Sequence, residues 1–142
     1  MRFKDYLPRL FRVAKDGGPE SNVTGYWLIE WKPVFSVALL RFDQGSREAF
    51  HSHAFHAVSW ILRGTLRELT LHTTQRGWVY TEGRPLRASL LPVFTRADRM
   101  HKVFGIAPRT WVLTFRGPWR ETWEEVRKDG RRVTLTHGRR EV

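Results

Sequence analysis

From Tyr26 onward the chain is patterned with a period of two. Stretches in which aromatic or β-branched residues alternate with polar ones recur at short intervals, separated by Gly, Pro and Asp. Alternation places successive side chains on opposite faces of a strand, so each stretch offers one face to a core and the other to water. The strands predicted in this way are Tyr26–Trp31, Val34–Asp43, Glu48–His53, Val58–Arg63, Leu66–Thr73, Trp78–Tyr80, Leu86–Pro92, His101–Phe104 and Thr110–Arg116. A final pair, Trp123–Arg127 and Arg132–Thr136, flanks Asp129-Gly130, a step that favours a tight hairpin turn. Many short strands without a long helical pattern predict an all-β sandwich or barrel. Only the N-terminus departs from this. Phe3, Tyr6, Leu7, Leu10, Phe11 and Ala14 are spaced by threes and fours, which predicts a short helix or two turns, ended by Asp16-Gly17-Gly18-Pro19.

The chain has 142 residues, which is one domain's worth. We divide it into a helical arm (1–19), a barrel (24–116) and a C-terminal hairpin with a basic tail (119–142). The absence of Cys excludes disulfides, a thiol nucleophile and thiolate metal sites, so any metal must be held by His and carboxylates. No apolar run approaches the ~20 residues of a membrane span, and the first fifteen residues carry charges where a signal peptide would be apolar. The expectation is a cytoplasmic protein with no membrane partner. Seven Trp and nine Phe are explained first as packing in a small β-domain. The net charge of +11 attracts anions, whether nucleic acid or a small substrate. Arginines are dispersed, with a denser run from Arg127 to Arg140, and they do not interleave with aromatics as a base-stacking platform requires. A small anionic molecule is therefore favoured over nucleic acid, and a homo-oligomer is left open.

Six histidines carry the chemistry: His51, His53, His56, His72, His101 and His137. On a strand, His51 and His53 in the His-Ser-His step share a face, close enough for both imidazoles to hold one ion. A third ligand must come from elsewhere, and His101 begins a later strand that can bring it. His56 falls on the opposite face from His53 unless the strand bends. It is left open as a fourth ligand, a hydrogen-bond partner behind a ligand, or an outward residue. His72 and His137 lie in polar surroundings and are expected to be solvated. No acid stands at a ligand-like spacing, although Asp98, three residues before His101, is placed to orient a ligand or cap a turn. Arg41, Trp60, Arg63, Arg96 and Arg116 are candidate pocket groups, since an arginine inside a barrel can hold a carboxylate in a two-pronged pair.

Gly45-x5-His51-x-His53, followed by Gly64, resembles the first motif of the cupin superfamily, and Pro92 to His101, continuing Lys102-Val103, resembles the second. The resemblance covers Gly45 to about Phe115. It implies a double-stranded β-helix, or jelly-roll barrel, with the two glycines at sharp turns where positive φ is least costly. Where most cupins keep a glutamate ligand this chain has Ala57, so the resemblance implies a site of three histidines: His51, His53 and His101. That pattern is similar to the thiol dioxygenase branch. Where that branch carries Ser, His and Tyr on the strand after the third ligand, Trp111, Leu113 and Phe115 stand here, and these cannot relay a proton. The chain is also similar to small phage-like cupins of unassigned activity. What the resemblance implies for function is a divalent ion, Fe(II) first and Zn, Ni or Cu as alternatives, in a dioxygenase-type enzyme acting on a small anionic substrate. The alternatives are a non-catalytic cupin that binds a ligand or metal, and a basic nucleic-acid or phage-assembly partner.

Overall fold

The computed structural model describes residues 2–45 and 49–142. After one 3-10 turn, Phe3–Tyr6, the chain forms twelve strands: β1 (Arg9–Lys15), β2 (Val23–Trp31), β3 (Phe35–Gly45), β4 (Ala57–Arg63), β5 (Thr65–Thr74), β6 (Gly77–Glu82), β7 (Leu86–Arg87), β8 (Val93–Thr95), β9 (His101–Arg116), β10 (Thr122–Val126), β11 (Arg132–Thr136) and β12 (Arg140–Glu141). The first nine form one antiparallel sheet, with β1, β2, β3, β9, β4 and β8 in order and β5 pairing β6, β7 and β9. The last three form a second, smaller sheet. The all-β jelly-roll expectation holds, with the short N-terminal turn and the C-terminal hairpin in place.

Four expectations about the elements need correction. The helical part of the N-terminus is confined to the 3-10 turn, and Leu10 to Ala14 are strand, because pairing with β2 gives partners to every residue of Arg9–Lys15 except Phe11, which sits at φ +51°. The predicted strands at His101 and Thr110 are one sixteen-residue strand. Leu86–Pro92 is strand only at Leu86–Arg87, and Leu90 and Leu91 are exposed. Glu48 of the predicted strand Glu48–His53 lies outside the described residues. The rest of that segment is not a regular strand; it is held by isolated bridges from His51 to His101 and Glu125.

The sheet curls because its strands bend at glycines. β4 and β5 together run antiparallel along β9, from Ala57 opposite Arg116 to Thr70 opposite His101, with a kink at Gly64. Gly64 sits at φ +94°, and a Cβ there would lie 2.3 Å from Thr110 Oγ1. That hydroxyl pins the kink by accepting from the Thr65 N–H at 3.1 Å and donating to the Thr65 carbonyl at 3.2 Å. On the other edge of β9, Gly45 at φ +99° closes a bulge against Gly105. The curled interior is lined by Trp27, Ala38, Leu40, Ile61, Leu66 and Val112, the alternate positions of β2, β3, β4, β5 and β9. A second cluster, Ala54, Phe55 and Ala57 with Trp119 and Trp123, joins the barrel to the C-terminal segment.

Candidate metal centre and its cavity

The barrel encloses a cavity of about 360 Å³. His51, His53 and His101 meet at its wall, and their ligand-capable nitrogens all lie within 4.8 Å of one another. The three rings stand edge to face, with centroids 4.9 to 5.2 Å apart. Backbone pairing fixes two of them. The His51 and His101 main chains exchange both N–H···O bonds, at 2.9 and 3.0 Å, which fastens the His51 segment to the start of β9. His53 follows two residues later, its N–H donating to the Ala97 carbonyl at 2.9 Å.

The hydrogen bonds behind the rings orient the lone pairs. Glu68 Oε2 lies 2.7 Å from His101 Nδ1. An ionised carboxylate only accepts, so it assigns the proton to Nδ1 and leaves Nε2 bare. The Ala49 carbonyl does the same for His51 Nδ1 at 3.1 Å. His101 Nε2 then faces His53 Nε2 at 2.7 Å, a hydrogen-bond separation in which one proton lies between the two imidazole nitrogens. A ring nitrogen held by a carboxylate or carbonyl while the other points at a shared centre is the arrangement that orients histidine ligands in metal sites. The donor set fits a divalent transition ion.

Glu68 is the functional residue the sequence reading missed. Burial pushes its carboxyl up, but the hydrogen bond from the His101 ring and the Arg99 charge nearby outweigh that and hold it below the ordinary Glu value. The Arg99 guanidinium lies 3.2 Å from its other oxygen. A signal was present, since Glu68 shares the inward face of β5 with Leu66, where an acid is out of pattern. Asp98, the acid singled out from sequence, is exposed and pairs with Arg96 instead.

The other candidates separate by strand face. Arg116 lies in the cavity wall at 7% exposure, paired with Asp16 across both prongs of its fork. Its guanidinium rests 4.5 Å from the centre of the Phe55 ring, on which the His53 ring also stacks at 5.3 Å. Arg41 is outside, bonded to Tyr26 and Asp43. Trp60 is outside as well, against Phe115, its indole donating to the Leu90 carbonyl. Arg63 is exposed, and Arg96 lines a separate surface depression with Asp98. For Arg41 and Trp60 this follows from parity: neighbouring positions of one strand face opposite sides, so Leu40, Ser59 and Ile61 point in where Arg41 and Trp60 point out, whereas Arg63, of the same parity as Ile61, lies beyond the register shift that separates the two. The same parity corrects the comparison made on the last long strand. Trp111 lies tilted against Tyr26 and Phe115 edge-on to Trp60, away from the cavity, whose side carries Val112, Thr114 and Arg116. Thr114 brings a hydroxyl into the wall, 2.9 Å from that of Ser59.

His56 is not part of the cluster. Its Nδ1 accepts from the Ala97 N–H at 3.0 Å, its Nε2 faces Arg120, and its ring stacks on Phe94. It thereby fixes the loop whose Ala97 carbonyl holds His53. His72 is exposed as expected, beside Thr81. His137 is not solvated: it is 7% exposed, stacked on Trp119 and set edge-on to Trp123. Its polar neighbours in sequence concealed a core position, because β11 and the turn after it pack against the tryptophans.

No protein-family model matches the chain, and no curated protein matches it in sequence. Solved structures match its shape. HppE in its Fe(II) form superposes with a TM-score of 0.55 at 11% identity, over 74% of this chain and 55% of its own. Recombinant oxalate oxidase in complex with glycolate gives 0.53 at 19%, over 77% and 57%. An RmlC-like cupin from Shewanella frigidimarina gives 0.52 at 18%, over 78% and 86%. The chain thus spans little more than half the length of the first two, and at these identities the likeness is one of fold. Among the described residues no helix is long and apolar enough to cross a membrane.

Proposed function

We propose that this chain, whose fold is that of the cupins, binds one divalent metal ion through His51, His53 and His101 and oxidises a small anionic substrate with dioxygen. The observation that carries the reading is the convergence of ring nitrogens whose protons are held elsewhere, by Glu68 and by the Ala49 carbonyl. Three neutral imidazoles suit Fe(II), Zn, Ni and Cu alike. Iron is favoured because one structure of similar fold is described as Fe(II) HppE, and an oxidation because another is described as an oxalate oxidase. A bound ion with three protein ligands keeps open positions, and iron(II) supplies redox chemistry there. The chain's own residues do the rest. Glu68 keeps the His101 proton on Nδ1, and Arg116 offers the substrate's negative end a positive partner. Trp27, Phe55 and Ile61 keep the wall apolar, and the Ser59 and Thr114 hydroxyls provide hydrogen bonds within it.

A small anion accounts for the charge better than nucleic acid does. Arg127, Arg131, Arg132 and Arg139 in the basic C-terminal run each lie within ion-pair range of Glu124, Glu125, Asp129 or Glu141. That pairing lowers what the run can offer a phosphate backbone.

The test is elemental analysis of protein purified without chelator, followed by anaerobic loading with Fe(II) and oxygen-uptake measurements with small carboxylates. About one ion per chain and carboxylate-dependent uptake are expected. An ion without uptake makes the protein a non-catalytic metal-binding cupin, and failure to bind any divalent ion overturns the reading. Oligonucleotide binding that survives moderate salt would instead favour a nucleic-acid partner.

A further inference from the structure

Among the described residues Arg116 is the most deeply placed Lys or Arg in the cavity wall, 7% exposed against 39% for Arg12 and 32% for Arg139. Asp16, at the start of the turn between β1 and β2, meets it with Oδ1 3.1 Å from Nη1 and Oδ2 2.5 Å from Nη2. The remaining donor, Nε, is buried and has no hydrogen-bond partner. We propose that Asp16 is an internal competitor, occupying on Arg116 the seat of a ligand carboxylate that must displace it.

The proposal rests on the reading of the cavity as a site for a small anion and makes its chemical class specific. A guanidinium fork holds a carboxylate through two parallel bonds, and the protein already presents a carboxylate in that pose. The two partners are unequally placed. Asp16 is 26% exposed and can rotate its side chain into water, whereas Arg116 is enclosed by Phe55 on one face and stays. The backbone need not follow, since the Asp16 N–H remains bonded to the Val23 carbonyl at 2.9 Å. The buried Nε leaves the guanidinium one further donor that a ligand oxygen can satisfy. A competitor of this kind lowers apparent affinity by the fraction of time the seat is free. It also rejects molecules without a carboxylate, since these cannot replace Asp16 without leaving the buried guanidinium unsatisfied.

Malonate serves as the probe, titrated calorimetrically into metal-free wild type, Asp16→Asn, Arg116→Gln and the double variant. Asp16→Asn is expected to bind malonate at least about tenfold more tightly than wild type, as release of an internal competitor requires. Both proteins with Arg116→Gln are expected to lose binding. Unchanged or weaker binding by folded Asp16→Asn overturns the proposal and makes the pair a strut. If Asp16→Asn does not fold unaided, its melting temperature is followed as malonate is added. A larger rise than in wild type supports displacement, and no rise overturns it. Zn(II) titration of the same proteins separates the two readings. Wild-type metal binding with no gain for Asp16→Asn removes the competitor alone, and a malonate gain without metal binding removes the metal centre alone.

Discussion

His101 and His137 are almost equally withdrawn from water, at 4% and 7% exposure, yet they are held in opposite ways. His101 has a carboxylate behind one ring nitrogen and another imidazole in front of the other. His137 lies between Trp119 and Trp123 with neither ring nitrogen hydrogen-bonded, and it serves there as a flat aromatic plate. Burial alone therefore does not mark a ligand histidine. What marks it is a partner that takes the proton on the far nitrogen and so aims the near lone pair at a point other lone pairs also reach.

That contrast can be broken first by truncation. His53→Ala is expected to abolish binding of Zn(II) or Fe(II), because two imidazoles of one wall remain, while His137→Phe binds within about twofold of wild type. Metal titration of both variants checks this, and equal losses would erase the distinction. The partner behind the ring comes next. Glu68→Gln is expected to weaken metal binding by ~10–100-fold, the range typical of groups that orient a ligand histidine. A wild-type affinity would show that Glu68 serves packing only. A smaller effect, about tenfold or less, is expected for His56→Ala, which acts on His53 only through the Ala97 loop. Complete loss in that variant would make His56 a ligand.

The smallest effect concerns pH. Burial, with Lys32 nearby, holds the His137 pKa below its ordinary value of 6.5. Between the lowered value and 6.5 the unfolded chain takes up a proton that the folded chain refuses, so stability rises with pH across that window and is lost as pH falls through it. The slope contributed by one proton is at most about 1.4 kcal/mol per pH unit. Urea melts of metal-free wild type and His137→Phe at several pH values below 6.5 are expected to diverge in this sense. Parallel curves would show that the ring is protonated inside the fold.

The parts of this molecule legible in sequence are those governed by alternation and by glycine. The alternation of β2, β3 and β4 and the turn at Gly130 were written in local pattern, and Gly64 stood where the motif resemblance puts a turn, but which face of each strand turns inward was not legible. The meeting of His101 with the His-Ser-His step was legible because both ends carry the imidazoles. Glu68 was not, since its role depends on the register that sets it across from Val103, two positions from His101, and no local pattern contains a register. Arg116 could be suspected, but its separation from Arg41 and Trp60 required knowing which face of each strand closes on the cavity. Asp16 was read only as part of a turn. Its partner stands a hundred residues away, and a contact of that separation leaves no trace in spacing.

The segment carrying His51 has a further consequence. It runs between the two sheets: its main chain pairs with His101 on one side and Glu125 on the other, while the Phe50 carbonyl accepts from the Val126 N–H and the Ser52 N–H donates to the Glu124 carbonyl. Any ligand that binds only the folded state stabilises it in proportion to the logarithm of its concentration over its dissociation constant, about 2.7 kcal/mol at a hundredfold excess. Here the stabilised segment is also the seam of the small sheet. Occupancy of the centre should therefore be readable at a distance, as slower hydrogen–deuterium exchange of the Glu124 and Val126 amides, neither of which touches the ion.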